Sequence, residues 1–440
     1  MLENDLTRTG QRSLPTSRRV KLGIMAVFGI VSLFAAACTS SAGSKAGGGS
    51  AGAASSAPSA SPAAAVTITP ADGTSNAKPN KGISVVATSG KITNVTVTTG
   101  HQEVGGVLAT DAKSWRTNWS LHTGAHYKVT VSAINSDNKT TTTTSSFRTL
   151  APGATFSATT VEGLNQTYGV GMPIMISFSS PVTRKAAVEK AIQIKTSQPV
   201  VGAWVWNDDE DLAFRPQTYW PAHTKVSFTG HFNGLAIAPG VYGTSNLSQS
   251  FRIGNSLIGV TSTVTHKTRI FWKGKLYATW PDSSGMPGDD TSNGTYLTIE
   301  KGNPVLMSGP GYKNVPVFFS VRFTWSGDYY HSAPWSVGEQ GFVNVSHGCV
   351  NLSPTDAQWY YERAVPGDPI TITGSPVAGV QGDGYTQWFY TWKQALNHSA
   401  TGMAVQAGPS GSTLVAPSTV PAQTAASYLT GSKPHNFNAG

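Results

Sequence analysis

Cys349 stands in the stretch VSHGCVNLSP, between a His-Gly pair and Val-Asn, and is one of two cysteines in 440 residues. A thiol in that setting can be a nucleophile, half of a disulfide, a metal ligand or a small buried hydrophobe. As a nucleophile it needs a base, because free thiols are mostly protonated at neutral pH. The region around it offers His266, His331 and His347. His347, two residues away, would share a strand face with the thiol without necessarily reaching the sulfur. His331 lies 18 residues upstream in DYYHSAPWS. The stretch FFSVRFTWSGDYYH reads as two strands around the turn Ser326-Gly327-Asp328. That places His331 at a strand end beside a Pro-containing loop, where a second strand could bring it to the thiol.

The other cysteine bears on the disulfide option. Arg8, Arg12, Arg18, Arg19 and Lys21 precede an apolar run, Leu22 to Phe34, and AAACTS follows. The run is short for a membrane span and ends in small residues, as an export signal does. Cys38 directly follows Ala35-Ala36-Ala37 and the segment resembles a bacterial lipobox, which implies that Cys38 is acylated and anchors the chain to a membrane. An ordinary signal cut or an uncleaved anchor is the alternative, and SRRVKL loosely resembles a twin-arginine signal. With Cys38 lipidated, Cys349 has no disulfide partner and is a free thiol in an exported chain.

HSAPWS followed by SHGCVN is similar to the signature of the L,D-transpeptidases, exported cysteine enzymes that cross-link peptidoglycan. Seven positions match at the family spacing: His331, Ser346, His347, Gly348, Cys349, Val350 and Asn351. The resemblance covers about 255–375. It implies that Cys349 attacks a peptide carbonyl to form a thioester, with His331 as general base and then acid. It implies that the main-chain carbonyl of Ser332 orients the His331 ring, and that backbone N–H groups of His347, Gly348 and Cys349 face the oxyanion. Gly348 suits this, since a missing Cβ permits unusual dihedrals and close approach. Ser346 and Asn351 are expected around substrate, with Asn351 bracing the turn. Tyr312, in GPGYKNVP, resembles the family's lid tyrosine, although its gap to His331 looks one residue long. Together with Trp335 it would screen the thioester from water. The implied partners are donor and acceptor stem peptides of peptidoglycan, with D-alanine released. No cofactor or metal is implied. A carboxypeptidase using the same acyl-enzyme, or a non-catalytic cell-wall scaffold, are the alternatives.

The elements that must position these residues are mainly β. Charged residues make up only 12%, and Thr, Ser, Ala and Gly fill the balance. Net charge is +9, from 31 basic and 22 acidic residues, but no Lys/Arg run suggests a nucleic-acid partner. After the signal peptide (1–37), an Ala/Gly/Ser/Pro linker (38–65) should form a flexible tether of roughly 30 Å r.m.s. reach. Short alternating strands then predict two tandem Ig-like β-sandwiches, 66–150 and 151–254. GAHYKVTVSAIN and PAHTKVSFTGHFN, followed by SSFRTL and QSFRIG, repeat at one domain-sized period. A β-rich catalytic domain (255–375) carries one clear helix, N-capped by Ser353 with Pro354 in its first turn. An aromatic C-terminal subdomain (376–399) follows, and 400–440 reads as a disordered tail. The serine acyl-enzyme triad is matched only in fragments, SNAK (75–78), SDN (136–138) and KTS (195–197), with Pro79 where a helix would be needed. His122 and His126 read as surface residues of a strand and turn, and NDDED (207–211) as a hairpin turn.

Overall fold

The structure is a computed structural model that describes residues 61–309 and 311–420. The signal peptide, Cys38 with its expected lipidation, the linker up to residue 60 and residues 421–440 lie outside the described residues.

The first sandwich packs two four-stranded sheets face to face. One contains Ala65–Thr69, Ser84–Ser89, Ser114–Thr117 and Gly106–Leu108. The other contains Gln102–Glu103, Lys91–Thr99, His126–Ile134 and Thr140–Arg148. Strand His126–Ile134 alternates outward and inward, so Tyr127, Val129, Val131 and Ala133 are buried. Tyr127, Val129 and Val131 meet Ile83, Val85, Ile92 and Trp115 in one core.

In the second sandwich the sequence repeat becomes a structural one. Lys225–Gly230 pairs antiparallel with Leu247–Ile253, as His126–Ile134 does with Thr140–Arg148. The copies then diverge. The second includes a short helix, Lys185–Lys190, that the sequence pattern does not announce, and its main sheet has ten strands.

The extra width comes from the C-terminus. Residues 400–420 are not a disordered tail. Ala404–Gly408 and Gly411–Val415 form a hairpin, and Ala404–Gly408 lies between Val200–Trp206 and Ile192–Thr196 in that sheet. Ala404, Val405 and Ala407 are buried there. Pro, Ser, Ala and Gly mislead locally because the driving force is an open slot in a sheet more than 190 residues earlier. Glu189, buried on helix Lys185–Lys190, fastens the return. Its carboxylate accepts from Trp206 Nε1 (2.9 Å), Ser399 Oγ (2.8 Å), Ala400 N (2.6 Å) and Thr401 Oγ1 (2.6 Å).

The aromatic segment 376–399 is a strap, not a separate subdomain. Phe389 packs on Tyr296 of the catalytic domain at 5.0 Å between ring centroids. Its neighbour Trp388 stacks edge-on to Tyr219 of the second sandwich at 4.4 Å and donates to the Gly171 carbonyl at 2.7 Å.

The catalytic domain has two main sheets. A five-stranded sheet runs Lys275–Pro281, Lys267–Trp272, Leu257–Ser262, Pro369–Thr373, Gly294–Leu297. A four-stranded sheet runs Glu300–Gly302, Ser320–Arg322, Tyr329–Ser332, Val350–Leu352. Leu257, Ile270, Tyr296, Val321, Tyr330, Val350, Tyr360 and Ile370 make the shared core. Helix Pro354–Arg363 contributes Tyr360, and its start is capped as expected, with Ser353 Oγ accepting from Asp356 N at 3.2 Å.

A chain ending at Ser399 is expected to melt well below the full chain. Glu189→Ala leaves several buried donors without an acceptor and should cost roughly 3 kcal/mol or more. Differential scanning calorimetry of the two variants checks both, and an unchanged melt for the Ser399 truncation would show the hairpin to be dispensable.

Candidate active site

Parallel pairing of two short strands assembles the site. Tyr330 pairs with Val350, His331 with Asn351 and Ser332 with Leu352. Tyr330, Val350 and Leu352 face the core. Alternation therefore turns His331, Asn351 and Cys349 to the other face. The expected turn at 326–328 is present, closed by Phe323 N donating to the Asp328 carbonyl at 3.0 Å, between Ser320–Arg322 and Tyr329–Ser332.

His331 is buried, and its Nδ1 lies 3.0 Å from the Ser332 carbonyl. A carbonyl only accepts, so Nδ1 carries the proton and Nε2 is left as the basic nitrogen. Burial holds the ring neutral, lowering its pKa to about 4 against a smaller opposing pull from the Ser332 carbonyl.

Cys349 is a free, partly buried thiol. Burial first, and the Asp328 carboxylate second, push its pKa up to about 12. The protonated sulfur donates to the Gly327 carbonyl at 3.7 Å. The resting pair is thus thiol and neutral imidazole, with no preformed thiolate.

The turn before Cys349 is built from short polar bonds. Ser346 Oγ donates to the Cys349 carbonyl (2.5 Å) and accepts from Gly348 N (3.2 Å). Thr291 Oγ1 donates to the Gly348 carbonyl at 2.6 Å. Gly348 has φ +118°, and a Cβ built there would lie 2.5 Å from Asp328 Oδ1, so dihedral and space both require glycine. Of the three N–H groups expected at an oxyanion, that of Gly348 is directed to Ser346. Those of His347 and Cys349 meet no protein acceptor among the described residues.

Asn351 braces a turn, but a distant one. Its Nδ2 donates to Ser336 Oγ at 3.0 Å, fixing the 3-10 turn Pro334–Ser336 that carries Trp335. Trp335 is 58% exposed and its ring lies 6.0 Å from that of His331. Tyr312 begins the second strand of a hairpin formed by Val305–Gly309 and Tyr312–Val317. Its ring lies 5.3 Å from that of His347, and burial followed by the neighbouring Cys349 and Asp289 raise its phenol pKa. His347 is exposed and faces this tyrosine rather than the sulfur. His266 lies apart, bonded through Nδ1 to Asn344 Oδ1 at 2.9 Å.

Two features went unread in the sequence. Asp328, which looked like a turn residue, stands beside Gly348 and Cys349. Behind His331, buried Asp282 accepts from Thr268 Oγ1 (2.7 Å), which bonds Thr261 Oγ1 (2.7 Å), which bonds the Tyr330 hydroxyl (2.6 Å). The spacing of Thr261 and Thr268 across a hairpin is visible in sequence, but their partners are not. Among the described residues no cluster suits a metal ion.

Known proteins show likeness to both parts of the chain. Residues 258–372 match the L,D-transpeptidase catalytic domain, and residues 74–236, across both sandwiches, match a bacterial Ig domain. L,D-transpeptidase 5 of Mycobacterium tuberculosis is 32% identical over 349 residues, covering 77% of each chain. L,D-transpeptidase 1 of the same organism is 38% identical over 216 residues, 47% of this chain and 80% of that one. A solved L,D-transpeptidase in complex with imipenem is 35% identical over 50% of this chain and all of its own, with a TM-score of 0.43.

The neutral resting thiol predicts slow alkylation. Iodoacetamide modification of Cys349 should rise about tenfold per pH unit from pH 7 to pH 10 without levelling, because only the thiolate reacts. A plateau near pH 7, measured by intact mass, would show a preformed thiolate instead.

Proposed function

This chain belongs to the L,D-transpeptidases, and from that membership we propose that it cross-links peptidoglycan through a Cys349 acyl-enzyme. The observation that carries the reading is His331 and Cys349 on one face of adjoining parallel strands, with His331 Nδ1–H fixed on the Ser332 carbonyl. The donor is a stem tetrapeptide. Cys349 attacks the carbonyl after the L-centre of its third, diamino-acid residue. His331 Nε2 takes the thiol proton as the C–S bond forms, since neither partner is charged beforehand, and passes it to the departing D-alanine amine. The N–H groups of Cys349 and His347 receive the developing oxyanion, with the Ser346-bonded turn holding them in place. The side-chain amine of a neighbouring stem's third residue then takes the acyl group, giving a link between third-position residues.

Tyr312 and Trp335 flank the sulfur and the base, which supports a lid that delays hydrolysis of the thioester. The basic, apolar N-terminus and Cys38 support an exported protein held by lipid at the outer face of the plasma membrane, with the linker and sandwiches spacing the catalytic domain from it.

Intact mass after incubation with a carbapenem or a tetrapeptide donor should show an adduct on Cys349, absent in Cys349→Ala. His331→Ala is expected to lower kcat/KM roughly 10²–10⁴-fold, and His347→Ala less than tenfold. An adduct-free, folded wild type would overturn the reading, and a larger loss for His347→Ala would move the base. Product analysis with and without an acceptor amine separates transfer from carboxypeptidase action.

A further inference from the structure

Asp328 is a carboxylate placed where a cysteine acyltransferase gains nothing for its first step. It sits at the end of the turn Ser326-Gly327-Asp328, whose Gly327 carbonyl receives the Cys349 thiol at 3.7 Å. A Cβ on Gly348 would lie 2.5 Å from its Oδ1. Its negative charge raises the nucleophile's pKa. Burial and Asp383 on the strap raise its own to about 6, opposed by a bond from the Thr324 hydroxyl.

Among the described residues no cation pairs with it. Among the described residues the ion pairs are Lys185 with Asp209, Arg322 with Glu300 and Arg363 with Glu362. Arg322, on the same hairpin, is turned to Glu300 and the carbonyls of Thr324 and Trp325, which take one bond each from its three nitrogens. The other titratable groups facing Asp328 are Asp383, Tyr296 and Cys349, none of them cationic. The turn is held rigidly all the same. Thr324 Oγ1 accepts from Asp328 N (2.7 Å) and Gly327 N (3.1 Å), and Asp383 accepts from Ser326 N and Oγ, each at 2.7 Å. A partly desolvated carboxylate without a counter-ion is costly, and beside a nucleophile it marks a place for a positively charged ligand group.

We propose that Asp328 binds the primary ammonium of the acceptor stem peptide and receives its first proton. This rests on the transpeptidase reading above. The acceptor's amine must reach bonding distance of the acyl carbon on Cys349, whereas the donor's own side-chain amine lies several bonds from that carbon. Proximity to the sulfur therefore favours the acceptor. R–NH₃⁺ gives one proton to the Asp328 carboxylate, and the freed lone pair attacks the thioester carbon. The C–S bond breaks, the second N–H proton passes through His331 Nε2 to the leaving sulfur, and Asp328 returns its proton to solvent. The products are the amide, the Cys349 thiol and one H⁺.

Asp328→Asn keeps the shape and removes the charge. With a tetrapeptide donor and an amine-bearing stem peptide as acceptor, it should raise the acceptor KM and lower the transfer-to-hydrolysis ratio at least tenfold. The donor KM should stay within twofold, and carbapenem acylation should not slow, because removing the neighbouring charge lowers the Cys349 thiol pKa. Unchanged acceptor KM, or a change confined to the donor KM, would overturn the proposal. Failure of the wild type to acylate would overturn the transpeptidase reading itself. If Asp328→Asn does not fold, the wild type still decides. Its acceptor KM should rise as pH falls through about 6, because the carboxylate protonates while the ammonium stays charged. A KM flat from pH 8 to pH 5 would sink the assignment.

Discussion

The parallel ladder between Tyr329–Ser332 and Val350–Leu352 is the constraint on which the site depends. Side chains alternate along a strand, so the register decides two things at once. It sends Tyr330, Val350 and Leu352 into the core and His331, Asn351 and Cys349 to the working face. A slip of one residue would turn the His331 imidazole into the apolar core and core side chains out to the working face. Both strands are short and cannot fix the register alone. Their positions are held from outside, by Ser283 bonding both backbone groups of Asn351 and by helix Pro354–Arg363 starting directly after the second strand.

Polar groups behind the working face add to this rigidity. The chain from Asp282 through Thr268 and Thr261 to the Tyr330 hydroxyl is wholly buried, and each link is bonded. A satisfied buried network has one good arrangement and many poor ones, so it specifies geometry more than it stabilises. Thr291 and Ser346 do the same for the Gly348 turn. The consequence is a site whose Cys349 thiol and His331 imidazole are both neutral and both fixed.

The C-terminal return links catalytic domain and second sandwich. Trp388 and Phe389 are neighbours in sequence but pack on different domains, and the hairpin beyond them completes the second sandwich's sheet. The same strap supplies Asp383 to the turn holding Asp328, so the folding of residues 376–415 bears directly on the active site. The second sandwich is in this sense part of the enzyme's frame.

The amino-acid sequence by itself determined what is local. The His331 to Cys349 spacing, the strand–turn–strand around Ser326-Gly327-Asp328, the Ser353 cap and the domain-length repeat each follow from residue types and their spacing along the chain. Tertiary structure decided whatever depends on a distant neighbour. A Ser/Ala/Gly-rich segment became strands because an open slot between two strands and the Glu189 carboxylate awaited it. Asn351 braced Ser336, fifteen residues away, and not its own turn. Asp328 turned from a loop residue into the charge beside the thiol. Hydrogen bonds along the chain leave a pattern in sequence, whereas burial and through-space charge arise only once separate segments share the same low-dielectric space.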